Sequence, residues 1–356
     1  NPPRSDVTVT GSCAATGAAH RKNAGIETLE LKQKEGLAIL NGTQLMTSSA
    51  AIALLKAGTL IKSADITGAL SLDALKGSLK AHDPRIHSAR PHEGQKITAQ
   101  NFIKLLHDSK ILSSHAECSK VQDAYSLRCI PQVHGAVKDT YNHAKKIIET
   151  EMNSVTDNPL VFEEGHDVVS GGNFHGEPVA FVMDFLSVAV SELASISERR
   201  TAYMLDPSTS DGLPAFLTEN GGLNSGFMMT QVTAAALVSE NKVLSHPASV
   251  DSIPTSANKE DHVSMGAHAA RKCLEIINNT ADVLAVELMC AAQGLEYRGA
   301  EMSSTAIKSV HKEFRKKVKF LKKDRYIYPD MISSREMIED GTILRCAEKI
   351  TGKLKI

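Results

Sequence analysis

The chain has 356 residues, of which 42% are hydrophobic and 23% are charged, and its formal net charge is −1. This length allows a large buried core, in two or three domains or in one large helical unit. Because 40 basic residues balance 41 acidic ones, the composition gives no reason to expect nucleic acid or an anionic membrane as the main partner. A small-molecule partner fits this balance better.

Hydrophobic residues recur at helical spacing in six long segments, and few segments alternate as strands do. The predicted helices span residues 45–62, 133–151, 179–205, 223–244, 263–293 and 303–323. Several of them are apolar most of the way round, and such helices must be surrounded by other helices. The sequence therefore predicts a mainly α fold, a long-helix bundle that is completed by oligomerisation.

The six cysteines are scattered along the chain, with no Cys-x-x-Cys pair and no zinc-like spacing of cysteine and histidine. This pattern predicts reduced thiols in a cytoplasmic protein. The apolar stretches 179–190 and 281–292 contain acidic residues and are too short to span a bilayer, so no transmembrane segment is expected. The chain begins at Asn1 without a methionine or an apolar signal core, and we expect an upstream segment to be missing.

Gln122, Tyr125 and Arg128 follow one another at intervals of three residues. On a helix this spacing would place an amide, a phenol and a guanidinium on one broad face. The guanidinium fork suits a carboxylate, so the segment predicts a carboxylate-binding wall. The alternative is an ordinary solvated helix face.

Polar, glycine-bearing segments at 40–44, 170–178 and 249–265 lie between the predicted helices. Loops held by a rigid scaffold often carry binding and catalytic groups. Taken singly, each segment is also compatible with a plain turn, a loop or the start of a helix. Together with the segment around Arg128 they provide four candidate walls of one site.

These segments also resemble, in the same order, those of the histidine ammonia-lyases within the aromatic amino acid ammonia-lyase family. The matching runs are KEGLAILNGTQ at 34–44, QDAYSLRCIPQVHG at 122–135, GGNFHGEP at 171–178 and SVDSIPTSANKEDH at 249–262, with shorter matches at 156–159, 197–200 and 223–226. The match extends from about Ala19 to the C-terminus. We therefore expect a poorly matched tail at 1–18 and one helical domain at 19–356.

The resemblance implies a cytoplasmic homotetramer with three subunits around each active site, which converts L-histidine to trans-urocanate and ammonia in histidine catabolism. By the same resemblance, Arg128 would bind the substrate carboxylate and Phe174 would line the pocket. Gln122 would bind substrate beside the amine. Tyr125 and Asn41 would be catalytic residues next to the amine and the electrophile.

Glu260 is the remaining catalytic residue that the resemblance implies, facing the imidazole or the amino group of the substrate. A carboxylate suits a basic ring, which favours histidine over phenylalanine or tyrosine. The neighbouring residue is Lys259, where the family usually has glutamine. We expect this cation to lower the pKa of Glu260 and to compete with the imidazole for it, unless Lys259 points away.

The reaction needs an electrophile, because the β-proton of histidine is weakly acidic and a bare amine leaves poorly. The family forms one, 4-methylidene-imidazol-5-one (MIO), from an internal Ala-Ser-Gly triad. No such triad occurs in these 356 residues, and the nearest sequence is Ala15-Thr16-Gly17, which lies too close to Asn41. The family's general base, a tyrosine of its N-terminal segment, has no match here either. We therefore expect this chain to carry the substrate clamp and not the electrophile.

Two alternative functions remain open. A non-catalytic homologue, acting as a binding or assembly subunit, would keep the helical bundle and the carboxylate clamp. A helical lyase of the fumarase and aspartase type would also build its sites from several subunits, but its Gly-Ser-Ser-x-Met-Pro-x-Lys signature does not occur here.

Two further patterns are expected to be structural. No metal is expected at His82, His87 and His92, because prolines interrupt any regular face among them and no carboxylate or cysteine pattern completes a site. The basic segment 308–323 overlies apolar residues at helical spacing and predicts a solvated helix face. Neither pattern indicates a nucleic-acid partner.

Overall fold

The computed structural model describes residues 25, 27, 30–115 and 121–356, and the backbone of 6–7 and 15–16. The chain divides into two compact units, Asn1–Gly42 with Asp157–Phe174 and Thr43–Thr156 with His175–Ile356. The predicted boundary at residue 18 lies outside the described residues, and so do Gly17 and the side chain of Thr16 in the look-alike triad.

In its described residues, the smaller unit combines short strands with one helix. Its elements are β1 (Asp6–Val7), β2 (Ala15–Thr16), α1 (Glu35–Asn41), β3 (Leu160–Phe162) and β4 (Asp167–Val169). β1 pairs with β2 and β3 pairs with β4, both antiparallel. Asp157, just before β3, accepts a hydrogen bond from Asn41 Nδ2 at 3.2 Å and forms an ion pair with Lys34. This carboxylate therefore connects α1 to the β3–β4 hairpin.

The larger unit is helical. Its α-helices are α2 (Gln44–Ala74), α3 (Pro84–Ala89), α4 (Glu93–Leu106), α5 (Lys110–Ser114), α6 (Tyr125–Arg128), α7 (Ile130–Met152), α8 (Glu177–Leu205), α9 (Met228–Leu244), α10 (Gly266–Tyr297), α11 (Thr305–Lys317), α12 (Tyr328–Glu339) and α13 (Thr342–Thr351). Short 3-10 helices lie at Leu79–His82, Ala215–Leu217, Ser256–Asn258 and Ala300–Met302. The prediction of a mainly α fold is confirmed.

Three long helices form the centre of the larger unit. α10 packs along both α2 and α8, and α7 packs against α4 and α8. Every residue of α2 from 63 to 74 is buried, and so is every residue of α10 from 283 to 295. The prediction that some helices are enclosed by other helices is therefore confirmed for these segments.

Several helix ends differ from the sequence-based expectation. α2 continues to Ala74 instead of ending at residue 62, because its second half is buried all round and shows no amphipathic period. α9 begins at Met228 instead of residue 223, because Gly226 has φ +56° in a turn whose backbone N–H groups at Ser225 and Gly226 donate to Asp324. α11 ends at Lys317, six residues earlier than expected.

A buried acid, Asp65 on α2, holds α4 and α7 through side-chain hydrogen bonds. It accepts from Lys138 Nζ at 2.7 Å, from His134 Nδ1 at 2.9 Å and from Asn101 Nδ2 at 2.8 Å. Burial alone would raise the pKa of Asp65, but the Lys138 ammonium and His134 lower it to about 2. Asp65 is therefore an anion paired with a fully buried cation.

A second buried pair joins α8 to α10. Glu287 accepts from Arg200 Nε at 2.5 Å and Nη2 at 2.9 Å, and from the hydroxyls of Ser71 and Ser197. Arg200 Nη1 also lies 3.4 Å from His134 Nε2. Burial lowers the pKa of His134, so its ring is neutral. We assign its single proton to Nδ1, which donates to Asp65 and leaves Nε2 to accept from Arg200.

Two described helices, α2 and α8, are long and apolar enough to cross a membrane by length and composition alone. The most apolar window of α8 is 67% buried inside the structure and that of α2 is 39% buried. This is weak evidence for a membrane span, because the core helices of globular proteins pass the same test. The expectation of no transmembrane segment stays a prediction.

Four cysteines belong to the described residues, and all four are free: Cys129, Cys273, Cys290 and Cys346. Burial raises the pKa of the Cys273 thiol to about 12, and burial also raises the pKa of Cys290. A thiol that stays protonated reacts slowly, so these two cysteines are packing residues. Cys13 and Cys118 lie outside the described residues.

We expect Lys138→Met to lower the free energy of unfolding by about 3–5 kcal/mol, because it leaves the Asp65 carboxylate buried without its cation. The control is Lys145→Met on the same helix, which removes an exposed ion pair with Glu149 and should cost less than about 0.5 kcal/mol. Urea denaturation followed by circular dichroism measures both variants. Equal stability of the two variants would contradict the buried-pair assignment.

Candidate functional site

Arg128 is the last residue of the short helix α6. Tyr125 begins this helix, and the centroid of its ring lies 4.8 Å from the guanidinium carbon of Arg128. Gln122 precedes the helix in a non-helical segment. The prediction that Gln122, Tyr125 and Arg128 share one helix face is therefore wrong for Gln122, because the helix starts three residues later.

Gln122 and Arg128 nevertheless line the same cavity, which has a volume of about 590 Å³. Its other walls come from residues 76–81, which follow α2, and from residues around α5. Arg128 Nε is buried and has no hydrogen-bond partner among the described residues. A buried guanidinium N–H without an acceptor is costly. A carboxylate that entered the cavity and reached this N–H would satisfy it with a charge-assisted hydrogen bond.

Basic side chains surround this cavity. Lys76, Lys80, His107 and His115 line it together with Arg128. The acid in the same lining, Asp123, accepts a hydrogen bond from the backbone N–H of Ser78 at 2.7 Å. An excess of basic groups around a cleft raises the local concentration of anions. The cavity therefore suits a ligand with a negatively charged group.

Glu260 is exposed and lies in a separate loop of the larger unit. Thr255 Oγ1 donates to Glu260 Oε2 at 2.5 Å, and the backbones of these two residues also pair. The hydroxyls of Thr255 and Ser256 lower the pKa of Glu260. The pKa of Glu260 is lowered as expected, but the cause is these two hydroxyls and not Lys259. Glu260 is therefore ionised at neutral pH.

The other two predicted site residues belong to the smaller unit. Asn41 ends α1, where its amide donates to Asp157. Phe174 is 37% exposed at the end of that unit's second segment. The structure thus brings together Tyr125, Arg128 and Gln122 within the larger unit. Glu260 makes its hydrogen bonds inside its own loop.

Sequence reasoning missed Gln132, in the first turn of α7. Its Oε1 atom is buried and has no hydrogen-bond partner among the described residues. Gln132 follows Arg128 by four residues, within the segment PQVHG that was already part of the resemblance. Nothing in the spacing alone indicated that its oxygen would be unpaired.

These features define a helical-bundle protein with a candidate carboxylate-binding cavity. The family model for aromatic amino acid lyases matches residues 4–316. Histidine ammonia-lyase 2 of Fusobacterium nucleatum is 51% identical over 341 residues, which cover 96% of this chain and 66% of that protein. The histidine ammonia-lyase of Caenorhabditis elegans is 52% identical, over 90% of this chain and 48% of that protein. The chain belongs to the aromatic amino acid lyase family.

Solved structures show the same fold. Histidine ammonia-lyase from Trypanosoma cruzi superposes with a TM-score of 0.87 at 42% identity, covering 94% of this chain and 63% of that one. Tyrosine aminomutase from Streptomyces globisporus gives a TM-score of 0.90 at 38% identity, covering 96% and 69%. The chain spans about two thirds of the length of these structures and of the bacterial relative, and about half that of the nematode relative.

A buried acid next to the cavity generates a pH-dependent prediction. Asp73 accepts hydrogen bonds from Ser303 Oγ at 2.5 Å and from Ser109 Oγ at 2.8 Å. Burial raises the pKa of Asp73 to about 6, although these hydroxyls lower it. Because the folded chain binds this proton more tightly than the unfolded chain, the raised pKa stabilises the fold fully at pH values below 3.8, the pKa of the unfolded state. This stabilisation is lost as the pH rises through 6.

We therefore expect Asp73→Asn, which removes the charge and keeps hydrogen-bonding groups, to stabilise the chain at pH 8 by roughly 2–3 kcal/mol. The gain should shrink as the pH falls from 6 to 4, where the native carboxyl is protonated. Urea denaturation at several pH values measures this difference. A gain that is the same at pH 5 and pH 8 would show that the buried charge is not the cause.

Proposed function

We propose that this chain carries the substrate-binding part of a histidine ammonia-lyase, which converts L-histidine to trans-urocanate and ammonia in the cytoplasm. The observation that carries the proposal is Arg128, which lines a cavity with basic walls and has a buried Nε without a hydrogen-bond partner among the described residues. Its support is the identity of about 50% to proteins named histidine ammonia-lyase. No nucleic acid or membrane is part of the proposal.

The residues of the chain bind and orient the substrate in this proposal. Arg128 binds the carboxylate, and we assign Tyr125 and Gln122 to the surroundings of the amine. Ionised Glu260 accepts a hydrogen bond from the imidazole N–H, which its lowered pKa favours. Asn41 is catalytic and Phe174 contacts the substrate ring. We assign these roles to the residues as a proposal.

We further propose that the chain acts as a homotetramer, with residues of three subunits around each site. α8 exposes Phe181, Phe185 and Val188 at helical spacing, with 58%, 51% and 48% of their surfaces accessible. A continuous apolar helix face of this kind suits a contact with another copy. Such a contact would let Glu260 act on a substrate that Arg128 of a neighbouring copy holds.

The family's cofactor, 4-methylidene-imidazol-5-one, supplies an electrophile for the elimination when it is present. Its source is an Ala-Ser-Gly triad, and these 356 residues contain none. The residues present therefore do not fit the formation of this group, although Arg128 and Gln132 each have a buried polar atom without a partner among the described residues. We accordingly assign binding and orientation to this chain.

The missing triad also favours a second candidate function. A non-catalytic homologue would use the same cavity to bind an amino acid or to assemble with a catalytic chain. Its ligand chemistry would be the same, because Arg128 would still bind a carboxylate. Both candidates therefore predict binding of a carboxylate ligand by this chain.

Binding is tested with trans-urocanate, by isothermal titration calorimetry on the 356-residue chain. We expect Arg128→Gln to weaken the affinity at least tenfold, because a charge-assisted hydrogen bond to a carboxylate contributes about 1.5–3 kcal/mol. Arg271→Gln on α10 is the control, since Arg271 is exposed and pairs with Glu275. Unchanged affinity in Arg128→Gln, or no saturable binding by the parent chain, would remove Arg128 from the site.

Turnover is tested by incubating the purified chain with L-histidine and following urocanate absorbance. We expect no urocanate, because the chain has no source for the electrophile. Intact mass spectrometry of the same sample controls for contamination by a longer enzyme. Steady formation of urocanate by the uncontaminated chain would refute our assignment of binding without the electrophile.

A further inference from the structure

Two histidines and a glutamate outside the predicted site meet where α8 and α10 begin. His175 and Glu177 flank the N-terminal cap residue of α8, and His262 lies four residues before α10. Their potential ligand atoms all lie within 4.8 Å of one another. The larger unit contains all three residues.

We propose that His175, Glu177 and His262 form a binding site for a divalent transition-metal ion, with Zn²⁺ as the metal that fits best. Two imidazole nitrogens and one carboxylate oxygen are a common ligand set for zinc sites that keep a fourth position open. Imidazole ligands also favour zinc, copper and nickel over magnesium and calcium. This proposal departs from the sequence analysis, which expected no metal.

The distance between the two histidines is close to that between ligand atoms of a metal centre. His262 Nδ1 lies 3.4 Å from His175 Nε2, and tetrahedral zinc with bonds of 2.0–2.1 Å places its ligand atoms roughly 3.3 Å apart. Glu177 Oε2 is 3.9 Å from His175 Nδ1, which is too long for a hydrogen bond. Because this contact is to the other ring nitrogen of His175, the Glu177 side chain, which is 24% exposed, has to rotate toward Nε2 to share an ion with His262; the candidate ligand atoms lie within 4.8 Å of one another.

An unpaired polar atom is the independent sign of a ligand. Glu177 Oε2 is buried and has no hydrogen-bond partner among the described residues. The nearest ring nitrogens of His175 and His262 are 3.4 Å apart, so a hydrogen bond between the histidines would still leave this oxygen unpaired. A cation would satisfy the carboxylate and both rings together.

The surrounding backbone holds the three side chains in place. A Cβ atom on Gly176 or on Gly266 would meet the Met46 thioether, so the two glycines let this side chain of α2 lie against the starts of α8 and α10. Ser252 Oγ accepts from the Val263 N–H at 2.9 Å and fixes the residue that follows His262. The positive end of the α8 dipole disfavours a cation, and the Glu177 carboxylate offsets this effect.

Solvent can reach the site, as an entering ion requires. His262 is exposed, and 30% of the His175 side chain is accessible. Among the described residues this is the one group of three such ligands with this geometry. The buried histidines His82 and His87 do not belong to it.

The test is a titration of the untagged, EDTA-treated 356-residue chain with ZnCl₂ by isothermal titration calorimetry. We expect one Zn²⁺ per chain, and we expect Glu177→Gln and His262→Gln each to weaken binding at least tenfold. The control is His246→Gln, an exposed histidine that is not in the group. Circular dichroism establishes that each variant is folded.

Two further readouts separate the site from adventitious binding. Co²⁺ should give the intense visible absorption of a tetrahedral site in the parent and in His246→Gln, and this absorption should be lost in both site variants. Zn²⁺ should raise the melting temperature of the parent and of the control but not of the site variants. Absence of saturable binding, or equal binding by all four proteins, would overturn the proposal and leave the histidines as a hydrogen-bonded pair.

Discussion

Two buried ion pairs, joined through one neutral histidine, determine how the central helices pack. Asp65 with Lys138 and Glu287 with Arg200 are all fully buried. A buried charge without a partner costs several kcal/mol. Within each pair, the position of one side chain is therefore fixed by the position of its partner. His134 connects the two pairs, because it donates to Asp65 and accepts from Arg200. The relative positions of α2, α7, α8 and α10 follow from this network.

The candidate site depends on the same helices. Arg128 lies two residues before α7, the helix that carries both His134 and Lys138. Leu127 is buried beside it and anchors α6 in the core. Because the buried pairs fix α7 along its length, the guanidinium is presented to the cavity by a rigid element. A rigid first contact with the substrate lowers the entropic cost of binding.

The sequence predicts the helical class and most helix centres, because burial on one face imposes a visible period. The sequence underestimates the length of α2, because a helix that is buried on all sides does not show that period. It also places Gln122 on a helix that begins only at Tyr125. The partners of Glu260 could not be predicted, because the hydroxyl of Thr255 reaches it through a turn with left-handed residues at 256–258. The cluster of His175, Glu177 and His262 could not be predicted from the sequence, because His262 is 87 residues away from His175.

The central claim is that Arg128 holds a carboxylate in the cavity beside α6. A crystal structure of the chain soaked with trans-urocanate tests it most directly. The account predicts a carboxylate oxygen within about 3 Å of Arg128 Nε, with the buried pairs around His134 unchanged. Density for the ligand elsewhere, with Arg128 Nε bonded to an acceptor of the protein itself, would contradict the account.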